Sequence, residues 1–250
     1  MRSSILVFAT FLLVGSAEPV RAGESFYVMI FGSQSHPKQL RFTHTWATFI
    51  RAVGEGPDPS TYYVEYRTIS WLPATLDVRV LAAHPEPGVN LDLYASIDTV
   101  LADRERITMW GPFVATKLIY DRAAAQVARL ESGTVRYRAI DGSQDLTIDD
   151  CIHAVADIDP VFGRNHYPLV RIGKPASRYI AKQIKTRTPF DEDLYDNRWL
   201  ITRFGLERYP IRIVSPRETP TLLILPRRAD SGSGARPISI RAGEIRSGPV

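Results

Sequence analysis

The chain holds one cysteine, Cys151, in 250 residues. That excludes an internal disulfide, so packing alone must hold the fold. It also leaves no basis for a structural zinc site, because Cys151 and His153 supply two ligands and no further ligand cluster accompanies them. A P-loop, a dinucleotide-binding glycine fingerprint and a zinc-protease helix motif are all missing, so no cofactor and no metal are expected. No apolar run reaches the length of a bilayer-spanning helix, so no transmembrane segment is expected. Neither sign of charge dominates: 31 Lys and Arg stand against 27 Asp and Glu, a net charge of +4. There is no basic stripe interleaved with aromatics, which argues against a nucleic-acid partner.

What is present begins with a leader. Arg2 supplies a positive start and Ile5 to Val14 an apolar stretch, followed by small residues suited to cleavage after Ala17 or after Ala22. The second site, with Val20 three residues before the cut, is preferred. The expectation is a signal peptide over 1–22 and a protein that is exported, periplasmic or secreted. Loss of Arg2, Arg21 and Glu18 lowers the net charge from +4 to +3. Residues 23–225 read as one domain with 44% apolar composition in the whole chain, enough for a substantial core. Residues 226–250 are rich in Pro, Gly, Ser and Arg and read as a disordered tail, which accounts for part of the pI of 9.2.

Within the domain, Ser25 to Phe31 reads as a strand. From Leu40 to Arg51, alternate residues Leu40, Phe42, His44, Trp46, Thr48 and Ile50 share a mostly apolar face. A turn over Gly54 to Ser60 leads into a second β-rich run, Thr61 to Trp71, and the two form a hairpin. Asn90 is a candidate cap for a helix over 91–102. A strand over 106–110 is expected to stop at Gly111-Pro112. Helical spacing over 116–132 ends at Gly133. A strand over 135–140 precedes a helix over about 149–157, and Pro175 opens a helix to Arg187. Residues 199–214 read as mixed and strand-rich. Strands followed by helices, without βαβ alternation, indicate an α+β fold: a mainly antiparallel sheet packed against helices, with the candidate nucleophile at a helix N-terminus.

Cys151 lies just inside the start of that last short helix, where N–H groups and the helix dipole favour a thiolate. His44 is the candidate base. In the simplest hairpin register Ala52 faces Thr61 and His44 faces Ile69; a slip of one places Thr68 or Ser70 opposite the imidazole, making both candidates for orienting it. Other residues have plainer readings. Asp149 and Asp150 sit where helix N-termini favour acids, so capping is their default role. His153 points away from Cys151 on a helix, and His36, His84 and His166 adjoin loops.

The order Thr43-His44-Thr45-Trp46, then the strand Val135 to Ile140, then Asp150-Cys151-Ile152-His153-Ala154-Val155, resembles the circularly permuted papain-like proteins. These include NlpC-type peptidase relatives, lecithin retinol acyltransferase-like enzymes and PPPDE-type deubiquitinating peptidases. The resemblance implies a thiol hydrolase or acyltransferase in which Cys151 attacks an amide or ester carbonyl and His44 is its base, with a peptide, cell-wall or acyl substrate. Where that family often has asparagine, this chain has Asp150, whose charge opposes thiolate formation. The alternative is a non-catalytic exported binding or structural domain with a buried thiol, since free cysteine is among the most buried residue types.

Overall fold

Successive residues of a strand point to opposite faces. In the computed structural model, which describes residues 23–140, 145–158, 172–187 and 197–220, both faces of the central strands are covered. β1 (Gly23–Gln34) sends Phe26, Val28 and Ile30 into one core and Tyr27, Met29 and Phe31 into another. Its neighbour β2 (Thr43–Gly54) does the same with Ala47 and Phe49 on one side and Trp46, Ile50 and Ala52 on the other. Burial on both faces explains the nearly continuous apolar run of β1; β2, whose alternation suggested one apolar and one polar face, is instead buried on both, Thr43 and Thr45 included.

β3 (Tyr63–Ile69) lies outside β2, and β6 (Arg106–Ala115) and β9 (Ile211–Val214) complete a five-stranded sheet in the order β3-β2-β1-β6-β9. All its pairs are antiparallel except β6 with β9. A smaller sheet joins β4 (Trp71–Pro73), β5 (Glu86–Asn90), β7 (Arg136–Tyr137) and β8 (Ile148–Asp149) in that order. Helices α2 (Lys117–Glu131), α3 (Cys151–Ala156) and α4 (Lys174–Arg187) cover the Val28 face of the large sheet. Helices α1 (Leu93–Ala102) and α5 (Arg198–Arg203) cover the Met29 face. The fold is α+β, with mixed sheets between helices. No described helix is long and apolar enough to cross a membrane. The expected leader and tail lie outside the described residues.

Several elements differ from their sequence reading, each for a local reason. The hairpin register pairs Ala52 with Val64, not Thr61. A 3-10 turn at Pro59–Thr61, capped by Asp58 accepting from the Ser60 N–H, lengthens the loop and shifts the pairing by three residues. α1 is capped by Asp92, which accepts from the Ala95 N–H at 2.7 Å. Asn90 instead ties β5 to the end of β3, accepting from the Ser70 N–H and donating to the Thr68 carbonyl. β6 does not stop at Gly111-Pro112. Gly111 adopts φ +105°, and an irregularity in the pairing at Val28/Ile30 absorbs the misfit. The expected strand over 135–140 pairs only at Arg136–Tyr137. The 199–214 stretch carries α5 and a 3-10 turn before the single strand β9.

α4 approaches β1 closely because Gly32 has no side chain. A Cβ there would meet Ser177 Oγ at 2.3 Å and Lys174 Cα at 3.3 Å. Ser177 is held in place by Thr45, with the hydroxyl oxygens 2.9 Å apart, so it is not free to swing aside. Gly32→Ala should therefore destabilise the protein by about 1–3 kcal/mol through overpacking, read as a lower denaturant midpoint. An unchanged midpoint would show that α4 tolerates displacement.

Candidate functional site

α3 owes its start to Asp150. One carboxylate oxygen accepts from the N–H groups of Ile152 (2.7 Å) and His153 (2.8 Å); the other lies 2.9 Å from His153 Nδ1. Asp150 thus caps the helix and orients His153. Asp149, fully buried, is ion-paired with Arg129 of α2, which also approaches Asp157 at 3.9 Å. Arg129 Nε donates to Gln126 Oε1, and Gln126 Nε2 donates to the Ala154 carbonyl. These contacts clamp the short α3 onto the longer α2.

Cys151 is the first residue of α3 and is 9% exposed. Burial pushes its thiol pKa well up, and the Asp150 charge pushes in the same direction. The backbone N–H of Thr45 and its own N–H offset this only in part. The helix start expected to favour a thiolate does not act that way. α3 has six residues, and the N–H groups one turn in are occupied by Asp150. A carboxylate that takes those donors also brings a like charge beside the sulfur.

His44 is 2% exposed and lies nearly parallel to the Trp46 ring, with centroids 5.3 Å apart. Trp46 in turn stacks on Phe31 at 5.1 Å. His44 Nε2 is 2.8 Å from Ser70 Oγ, and Nδ1 has no hydrogen-bond partner among the described residues. Burial pushes the imidazole pKa down to about 3, so the ring is neutral at ordinary pH.

The structure does not bring Cys151 and His44 together as a hydrogen-bonded pair. Cys151 belongs to the same core cluster as Ala47 and Phe49 and lies within reach of the Thr45 backbone N–H, while His44 stacks on Trp46. The unpartnered Nδ1 and the Ser70 contact at Nε2 account for both imidazole nitrogens, and neither is bonded to the thiol. Of the two residues considered for orienting His44, Ser70 does so, from the junction of β3 and β4. Thr68 does not: it faces Thr48, with their hydroxyls 3.0 Å apart. His36 and His84 are exposed, and His166 lies outside the described residues.

Two buried polar residues near His44 were not singled out from the sequence. Ser33 is its cross-strand neighbour on β1, and its hydroxyl has no hydrogen-bond partner among the described residues. Glu105, immediately before β6, is buried with Oε2 unpartnered. Burial raises its pKa to about 7; Ser33 lies close enough to favour the carboxylate, although outside hydrogen-bond geometry, and the Asp103 charge raises the value further. Glu105 lies two residues before the buried Ile107, and the strand period of two is the signal that would have placed both on one face. No group of three or more potential metal ligands occurs among the described residues.

Comparison of the chain with protein-family models, with curated proteins and with solved structures returned no match.

His44 and Glu105 act on stability in opposite senses. The folded pKa of His44, about 3, lies below its ordinary 6.5, so its contribution is complete above 6.5 and is lost as the pH falls towards 3. The folded pKa of Glu105, about 7, lies above its ordinary 4.5, so its contribution is complete below 4.5 and is lost as the pH rises through 7. From these two groups, stability should be level between 4.5 and 6.5 and fall on either side. Denaturant midpoints across pH should show a flatter acid limb in His44→Gln and a flatter neutral limb in Glu105→Gln. An acid limb as steep in the His44 variant as in the parent would mean that His44 is not held neutral in the folded protein.

Proposed function

We propose that this is a non-catalytic, exported binding or structural domain in which Cys151 is a core residue. The observation that carries this reading is the state of the helix start. Asp150 accepts from both nearby N–H groups, and the thiol beside it is 9% exposed, with burial and charge both favouring the protonated form. A thiol hydrolase or acyltransferase needs a thiolate and a base within hydrogen-bond reach. Here the candidate base holds Ser70 with one nitrogen, the other has no partner among the described residues, and its ring stacks on Trp46. The Ser70–His44 contact is itself buried, with Ser70 0% and His44 2% exposed, which suits a structural tie between β2 and the β3–β4 junction. The apolar stretch from Ile5 to Val14 after Arg2, with small residues beyond it, supports export.

Alkylation by iodoacetamide at neutral pH tests the assignment of Cys151. The folded protein should react at least about a hundredfold more slowly than the same chain in denaturant, because only the exposed thiolate reacts. His44→Ala should leave that slow rate essentially unchanged where the fold is retained. A folded-state rate equal to or above that of the unfolded chain, falling in the His44 variant, would overturn the reading and restore the cysteine–histidine pair.

A further inference from the structure

A second site lies away from Cys151, where α4 meets the β6–β9 edge. Lys174, Arg178 and Lys182 recur every four residues along α4 and so line one stripe of it. Facing them are Arg212 of β9 and Arg106 at the start of β6, both close enough to repel the Lys174 ammonium. Between the stripe and the sheet run two cavities of about 390 and 360 Å³. They share Trp110, Lys174 and Arg178 as walls. Thr108 and Val214 complete the sheet side of the second, and Gln34 and Tyr179 border the first.

The charge here is not balanced from within. Among the described residues, none of these five cations forms an ion pair, whereas Arg51, Arg79, Lys117 and Arg129 all do. Among the described residues, Glu218 is the one carboxylate that lines either cavity. Lys174 is also the first residue of α4, and the first turn contains no acid, so it faces the positive end of the helix dipole. Like charges four apart on a helix destabilise it, and burial of Lys174 adds to the cost. An arrangement of cations that repel one another around an open cavity is relieved by a bound anion.

We propose that this groove binds a small organic anion whose phosphate or carboxylate groups sit among Lys174, Arg178 and Arg212. The ligand's apolar part would meet Val214 and the narrow rim by which the buried Trp110 lines the cavities. Arg178 and Arg212 present planar donor forks suited to either oxyanion, and each cavity falls in the size range of small-molecule sites. A single-stranded nucleic acid is the poorer fit. Trp110 is 5% exposed and offers no open face on which bases could stack. The inference does not depend on the state of Cys151.

Calorimetric titration of the full chain with pyrophosphate, citrate and a short oligothymidylate tests it. Pyrophosphate or citrate should bind, and the tighter of the two identifies phosphate or carboxylate as the preferred group. Arg178→Gln combined with Arg212→Gln should weaken that binding by about tenfold or more. Both side chains are exposed, so the ligand-free variant should keep the parent's thermal midpoint or exceed it as repulsion is removed. Lys182→Gln gives an independent, smaller loss. Arg67→Gln, on β3 outside the groove, should change nothing. Absence of binding by both small anions, binding unaffected by the paired arginine variant, or oligothymidylate binding tighter than either would overturn the proposal.

Discussion

Because β1 and β2 are covered by helices on both faces, neighbouring residues of one strand belong to different cores. This constraint governs most of what the molecule can do. It places Trp46 against Phe31 on one side and Ala47 and Phe49 beside α3 on the other. It also divides His44 from Thr45: the imidazole enters the core closed by α1 and α5, while the Thr45 hydroxyl faces Ser177 of α4. Cys151 meets the Thr45 backbone, while the imidazole is engaged by Ser70 and Trp46. A sheet open to solvent on one face would have left its edge accessible. Here each face is closed by helices, and the close approach of α4 at Gly32 leaves no slack.

The buried polar groups follow from the same closure. Where β3 leaves the large sheet after Ile69 and the chain turns into β4, the ladder ends and its polar groups need other partners. Asn90 answers with a bond to the Ser70 N–H and another to the Thr68 carbonyl, and Ser70 Oγ reaches His44. This small network fixes the junction of the two sheets. Ser33 and Glu105 lie at the same end with polar atoms unpartnered among the described residues, so that end carries electrostatic cost as well as cohesion. The groove at the β6–β9 edge is the opposite case: its cations are exposed or half-buried, and their mutual repulsion is set against water as well as one another.

The short α3 shows how one side chain can reverse an inference from position. Helix starts favour thiolates because N–H groups there lack partners. Asp150 removes that condition by accepting from two of them and adds a negative charge in their place. Six residues also give a weak dipole for the sulfur to feel. The capping role of Asp150 and the position of Cys151 are both legible in the sequence, but their competition is decided by geometry.

Local patterns in the sequence determined the elements whose causes are local. The apolar run of β1, the 3.6-residue spacing of α2 and its stop at Gly133, the Pro175 start within α4 and the α+β order of elements all follow from periodicity and capping. So did the candidacy of Ser70 beside His44, although through a register that the 3-10 turn at Pro59–Thr61 then shifted. Tertiary structure decided everything that depends on which face meets which. It set the partners of His44, the burial that holds it neutral and raises Glu105, and the meeting of the α4 stripe with Arg212 some thirty residues further along the chain. Periodicity reports that a residue points inward, but with a core on each side of the sheet, inward has two meanings, and only the packed helices distinguish them.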